Sequence, residues 1–295
     1  MFRWFLLCTL LLGWLAAPLH AQGVAGAPLS PRGGVIALPE AQASIDLGEA
    51  YDFYGPADTR RILVEMWENP AREAEGVLGL IMPRGSSPQQ RGWGAIVTWE
   101  DIGYVSSETA RDADYDALLG QMQAAVRSGN AGRRADGYTN VQLLGWAQRP
   151  EHDSVANTVT WGKEFTFFDG EPNTLHYDLR VLGRNGVLSL NVVGSIEQLP
   201  EIRSAAQDLG RRTRFDPGAR YADFDAERDE VAGYGIAGLV ATGAGVAIAK
   251  NVGVWALFAK LLQPLGIALL ILAAALATPM RRLFGKKASD ARATR

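Results

Sequence analysis

The sequence predicts an α+β domain built on an antiparallel sheet with packed helices, followed by a C-terminal transmembrane helix. Strand-length apolar runs follow one another through short turns, which is typical of antiparallel pairing. Between and after these runs lie amphipathic helical patterns, expected to pack on one face of the sheet. Near the C-terminus, an apolar stretch is long enough to span a hydrocarbon core.

The predicted elements follow from the spacing of apolar residues, since a period near 3.6 indicates a helix and a period of two a strand. Asp58 is a plausible N-cap of the first helix, and Asn69-Pro70 ends that helix. A capping box of Ser195 and Gln198 begins the last helix. In chain order they are a helix at 57–68, strands at 77–82 and 93–99, a helix at 112–127, strands at 139–148, 157–168, 174–183 and 187–194, and a helix at 195–210.

Asn185-Gly186 is the strongest hairpin signal in the chain, because both residues tolerate the positive φ of a two-residue turn. Pairing across this turn sets Arg180 opposite Asn191 and His176 opposite Ser195. The strand at 157–168 is then placed by matching its apolar side to that of the next strand.

That register predicts a polar cluster on one sheet face. The apolar sides comprise Val159, Trp161, Phe165 and Phe167 on one strand and Tyr177, Leu179 and Val181 on the next. The opposite face collects Glu164, His176, Asp178, Arg180 and Asn191. Two carboxylates beside a histidine and an arginine could perform general acid–base catalysis. The alternative is a solvated face with ordinary cross-strand charge pairs.

Lys163 is a second candidate, because it is the one lysine between residues 22 and 230 and falls between Trp161 and Phe165. A desolvated lysine has a lowered pKa and could act as a nucleophile or base. Alternatively its side chain reaches water at the sheet edge or pairs with a carboxylate.

Motifs for cofactors and metals are missing from the sequence: it has no Gly-rich phosphate loop, GxSxG or HExxH pattern. Cys8, the sole cysteine, lies in the predicted signal, and His152 and His176 are not at ligand spacing. We therefore predict no cofactor and no metal site.

The charge distribution excludes one class of partner and suggests a location. Residues 22–230 carry 20 basic and 31 acidic residues, a net charge of −11, whereas residues 281–295 carry 6 basic and 1 acidic residue, a net charge of +5. An acidic domain lacks the basic surface that nucleic-acid binding requires.

The two termini predict export and anchoring. The pattern of residues 1–21 predicts a secretory signal, which is either cleaved or kept as a membrane anchor. The composition of residues 22–37 predicts a flexible lead. The helix at 261–280 would cross the membrane and leave the basic tail at 281–295 in the cytoplasm. The domain at 38–222 and the acidic juxtamembrane linker at 223–230 would then lie on the periplasmic side of a bacterial inner membrane.

The Gly/Ala-rich apolar segment at 231–259 has two interpretations. Its small residues recur every four positions and would allow close helix packing and self-association. They are Gly233, Ala237, Ala241, Gly245, Ala249 and Gly253. Alternatively residues 231–249 cross the membrane and form a hairpin with 261–280, which would leave the basic tail outside, against the charge rule.

Several sequence segments, in the same order over about residues 36–240, resemble those of a bacterial family of membrane-anchored proteins catalogued as domain of unknown function 2167. They are GPADTRRILVEMWENP (55–70), LGLIMP (78–83), WGAIVTWEDIGYVSS (93–107), DYDALLGQMQ (114–123), GYTNVQLLGWAQRP (137–150), LHYDLRVLGRNGVLSLNVVGSIEQLP (175–200) and FDPGARYADFDAERDEVAGYGIAGL (215–239). The resemblance implies a signal peptide, an envelope domain and a C-terminal anchor, but no activity. The element order is also similar to the PsbP and Mog1 type of sandwich, an analogy of fold alone.

The expected function is therefore that of a non-catalytic binding or accessory module, exposed outside the cytoplasm on a membrane anchor. One alternative is an envelope hydrolase using Glu164, Asp178 and His176. Another is an oligomerising membrane subunit.

Overall fold

The computed structural model describes residues 28–90, 92–108, 113–135, 137–168 and 172–242. Its strands are β1 (Val35–Leu38), β2 (Ala43–Asp46), β3 (Tyr51–Tyr54), β4 (Val77–Pro83), β5 (Gly94–Glu100), β6 (Val141–Asp153), β7 (Thr158–Phe167), β8 (Thr174–Leu182), β9 (Val187–Ser195) and β10 (Thr213–Phe215). Its α-helices are α1 (Pro56–Arg60), α2 (Tyr115–Ala135), α3 (Leu199–Arg212) and α4 (Ile236–Thr242), and a π-helical stretch, Arg61–Met66, continues α1.

Two antiparallel sheets form the framework, which confirms the predicted α+β class. The larger has seven strands in the order β3-β4-β5-β9-β8-β7-β6, and the smaller has the order β1-β2-β10. Short hairpins join β6 to β7 and β8 to β9, so strands that are adjacent in sequence are also adjacent in space.

Helices cover both faces of the large sheet, so the expectation of helices on one face was wrong. On one side, which we call the α3 face, Ile202 and Leu209 of α3 and Ile45 of the small sheet pack on Leu179 and Leu190. The other side, the α4 face, lies under α1 with its π-helical stretch, α2 and α4. Buried apolar residues lie on both sides of the sheet, such as Leu179 on the α3 face and Trp161 on the α4 face, and each side requires its own cover.

The α4 face is covered in separate portions. Ile62 of the π-helical stretch packs on Leu80 of β4, near one edge of the sheet. Met122 of α2 packs on Phe165 of β7, while α4 packs on Trp161 of the same strand. Strands β5 and β9 lie between these portions.

The folded domain extends beyond the predicted boundaries at both ends. Ile36 of β1, inside the predicted flexible lead, is 5% exposed and pairs with Ile45. In the predicted acidic linker, Asp229 accepts two hydrogen bonds from Arg184, at 2.7 and 2.8 Å. The Glu230 carbonyl accepts a third bond, from the Tyr104 N–H, so this segment is part of the domain.

The beginning of the Gly/Ala-rich segment is folded onto the domain as well. Ile236, Leu239 and Val240 of α4 are fully buried against the α4 face. Within the described residues, the start of this segment is therefore part of the folded domain.

The β8–β9 hairpin forms, but its register differs from the prediction. Its two-residue loop is Arg184-Asn185, and the Gly183 N–H donates to the Gly186 carbonyl at 2.9 Å. Arg180 therefore pairs with Ser189, and His176 pairs with Val193. Gly186 is needed for space, because a Cβ at this position would lie 2.1 Å from the Glu100 carbonyl oxygen.

Within the described ranges, no helix combines the length and the apolarity that a bilayer crossing needs. The predicted signal at 1–21, most of the segment at 231–259, the predicted helix at 261–280 and the tail at 281–295 lie outside the described residues. So do three members of the small-residue series, Gly245, Ala249 and Gly253.

Candidate functional site

Four charged side chains form a connected series of ion pairs on the α4 face, which we call the charge cluster. Lys163 Nζ lies 3.2 Å from Asp178 Oδ2, and Arg180 Nη2 lies 3.2 Å from Asp178 Oδ1. Arg180 Nη1 lies 3.2 Å from Glu100 Oε1. Lys163, Asp178 and Arg180 are at most 4% exposed. Two positive charges balance two negative ones, so each buried charge has an opposite partner, as burial demands.

Four adjacent strands bring the cluster together, because alternate residues on a strand share one face. Lys163 on β7 and Asp178 on β8 come from neighbouring strands, and Ser189 on β9 lies opposite Arg180. The Ser189 hydroxyl donates to Glu100 Oε1 at 2.6 Å. The Arg180 guanidinium lies 5.4 Å from the centre of the Trp161 ring, in a cation–π arrangement.

Burial governs the titration of this region. It lowers the pKa of Lys163, while the neighbouring Asp178 carboxylate acts in the opposite direction. Burial, together with the charge of Lys163, lowers the pKa of His176 to about 4. His176 is consequently neutral at pH 7, and the Lys163 side chain is held against Asp178 inside the domain.

The predicted cluster is assembled only in part. His176, Asp178 and Arg180 share the α4 face, and Lys163 joins them as the cross-strand partner of His176. Glu164 pairs with Leu175, which belongs to the core of the α3 face. There Glu164 accepts a hydrogen bond of 2.6 Å from Asn173.

The predicted register between β7 and β8 was thus wrong by one residue. The apolar side of β7 faces α2 and α4, whereas that of β8 faces α3. Matching the two sides assumed that one face is apolar and the other polar. In a sheet covered on both faces, this assumption fails.

The sequence interpretation missed Glu100, Ser189 and the cation–π role of Trp161. Lys163 signalled only its own ion pair with Asp178, since a lysine within an apolar strand requires a counter-ion. Glu100 and Trp161, by contrast, contact Arg180. Of the alternatives for Lys163, the structure shows the ion pair with a carboxylate, that of Asp178. Which other residues join it depends on strand order, and the sequence pattern does not encode that order.

A partly exposed strip of β5 and β9 adjoins the charge cluster. We define the central strip as Ile96, Thr98, Asn191 and Val193. Ile96 lies opposite Asn191, which in turn lies opposite Asp178 of the charge cluster. Among the described residues, neither the Thr98 hydroxyl nor the Asn191 carboxamide has a side-chain hydrogen-bond partner. Their polar groups are therefore open to an external partner.

Aromatic rings border this strip on both sides. The Trp67 indole N–H donates to the Pro88 carbonyl at 2.8 Å, which fixes the ring in place. A Cβ on Gly94 would lie 3.1 Å from Trp67 Cη2, so the ring rests beside Gly94, the cross-strand partner of Val193. On the other side, the His176 ring packs against Phe165 with a centroid distance of 4.6 Å.

Comparisons with known proteins give a similarity to solved structures and membership of a family. The solution structure of cyanobacterial PsbP (CyanoP) from Synechocystis sp. PCC 6803 is similar over 68% of this chain and 100% of that chain, with 10% identity and a TM-score of 0.36. None of the curated proteins matches this chain. A family model described as "Protein of unknown function (DUF2167)" matches residues 30–276, which include nearly the whole described domain. The chain therefore belongs to this family.

Proposed function

We propose that the protein is a membrane-anchored module of the bacterial envelope that binds a partner through its central strip. One observation carries the proposal: Thr98 and Asn191 present unpaired polar groups on a partly exposed sheet surface. The neighbouring charges, by contrast, are used in internal ion pairs. Such a surface supports binding more directly than chemistry.

The positions of the candidate catalytic residues favour binding over the hydrolase alternative. An acid and a base must reach the same substrate, but Glu164 and Asp178 lie on opposite faces of the sheet. Asp178 is 2% exposed and paired with two cations, so its carboxylate is held inside the domain, away from solvent and substrate.

The anchored, periplasmic placement rests on the sequence: the signal at 1–21, the apolar helix at 261–280 and the basic tail at 281–295. The finer description of the fold as a PsbP- or Mog1-like sandwich stays a prediction from the element order.

Self-association is a second candidate function, favoured by the orientation of α4. This helix buries Ile236, Leu239 and Val240, while Ala237 and Ala241 remain partly exposed. The two members of the small-residue series within α4 therefore lie on the outer side of the helix. Replacing Ala237 and Ala241 by Ile should reduce chemical cross-linking between copies in membranes, and unchanged cross-linking would contradict this candidate.

Site-specific photo-cross-linking in intact cells tests the binding proposal. A photoreactive residue is placed at Ile96 or Val193, which preserves Thr98 and Asn191, and at Val155 as a control. Val155 is 91% exposed in the turn between β6 and β7. We expect a discrete, light-dependent adduct from the central strip and none from Val155. No adduct from either strip position, with the full chain folded and in the membrane, would contradict the proposal.

A further inference from the structure

We infer that the central strip takes an uncharged oligosaccharide, a ligand class that rests on the proposed binding function of this same surface. Three properties of the strip and its border lead to this class: the balance of charge, the type of hydrogen-bonding group and the fixed aromatic ring.

Among the described residues, the balance of charge favours an uncharged ligand. Ile96, Thr98, Asn191 and Val193 carry no charge, and the adjacent Asp178 is already paired with Lys163 and Arg180. A phosphate or carboxylate ligand would give up hydration without gaining a free cation in the described part of this surface. A cationic ligand would likewise find no unpaired carboxylate in the charge cluster.

The hydrogen-bonding groups match hydroxyls and acetamides. The Asn191 carboxamide and the Thr98 hydroxyl each donate and accept. Sugar hydroxyls also do both, so each can form reciprocal bonds with either side chain. Because both side chains lack partners within the described domain, binding breaks no internal hydrogen bond.

The position of Trp67 supplies the apolar half of the site. The C–H face of a pyranose packs on an aromatic ring, and a ring held by a hydrogen bond loses little entropy on binding. Trp67 rests beside Gly94, which lies two residues from Ile96 on β5. Strand geometry places Gly94 about 8 Å from Asn191 on β9, a span of one or two pyranose rings.

The test uses the full-length protein in detergent and three neutral probes: chitotriose, maltotriose and cellotriose. Binding is followed by tryptophan fluorescence and by calorimetry. We expect saturable binding of at least one probe, weakened about tenfold or more by the double variant Thr98→Val, Asn191→Leu, because two hydrogen-bonding groups are lost. Thr160→Val is the matched control, since Thr160 lies on the opposite face of the same sheet, and it should leave the affinity unchanged.

The inference is overturned if none of the three probes binds, or if the double variant binds them as well as the wild type. Inorganic phosphate and heparin serve as anionic probes, and saturable binding of either at the strip would also overturn it. Cross-linking from Val193 separates this failure from failure of the proposed function. A protein adduct without sugar binding would contradict the oligosaccharide inference but leave the proposed binding function intact. Loss of both signals would contradict the binding function as well.

Discussion

The Nζ atom of Lys163 lies 3.2 Å from Asp178 Oδ2, and each of these two residues is only 2% exposed. Removing one partner of a buried pair leaves an uncompensated charge, which costs far more than an exposed pair contributes. The pair also explains how an apolar strand accommodates a lysine. Its consequences for stability can be measured.

Asp178→Asn should lower the free energy of unfolding by about 3–5 kcal/mol, because it leaves Lys163 buried without its counter-ion. Lys163→Met should cost less, since Asp178 keeps its bond to Arg180. Denaturant unfolding followed by circular dichroism gives both values. Glu164→Gln is the control, which should cost no more than about 1 kcal/mol because Asn173 can still bond to the amide oxygen. If Glu164→Gln were as costly as Asp178→Asn, the assigned register would be contradicted.

Stability should fall as the pH drops from about 6.5 to about 4, in part through His176. Its pKa is about 4 in the folded protein and 6.5 when unperturbed, so within this window the unfolded chain binds a proton that the folded protein does not. The loss attributable to His176 is at most on the order of 3 kcal/mol. Denaturation at several pH values should show a shallower pH dependence for His176→Gln than for the wild type. Parallel curves would mean that His176 does not titrate as described.

Gly186→Ala should destabilise the domain by roughly 1–3 kcal/mol, because the new Cβ would meet the Glu100 carbonyl oxygen and force β5 and β9 apart. The same substitution at Gly145 on the edge strand β6 meets no atom within 4 Å and serves as the control. Thermal unfolding of the two variants compares them directly. Equal effects at both positions would argue that steric contact with Glu100 is not the cause.

A reporter enzyme that is active only outside the cytoplasm should be active when fused after Thr242 and inactive when fused after Arg295. The first junction keeps α4 intact, which a junction inside the folded segment 223–230 would not. This outcome follows from one crossing at 261–280 with a cytoplasmic basic tail. Activity from the fusion after Arg295 would instead indicate the hairpin alternative.

The sequence by itself determined the type and order of the elements from the first helix to α3. The alternating strands at 157–168 and 187–194 and the capping box at Ser195 appear where the local pattern placed them, whereas the hairpin turn forms one position earlier than predicted, at Arg184-Asn185. These features depend on residues close together in the chain, so they can be read without knowing the fold. Pairing of Lys163 with a carboxylate was one of the alternatives that the sequence left open, and the burial of this lysine in the structure is what requires it.

Only the tertiary structure decided which residues meet. The one-residue slip between β7 and β8 moved Glu164 to the α3 face and brought Lys163 to Asp178. The apolar side of β7 packs under α2 and α4, whereas the apolar side of β8 packs under α3, so matching the apolar sides of the two strands gave the wrong register. The sequence analysis also missed the short strands β1 to β3 and the packing of α4. Their stability comes from contacts with residues distant in sequence, such as Trp161 beneath α4. Local propensity does not predict such contacts.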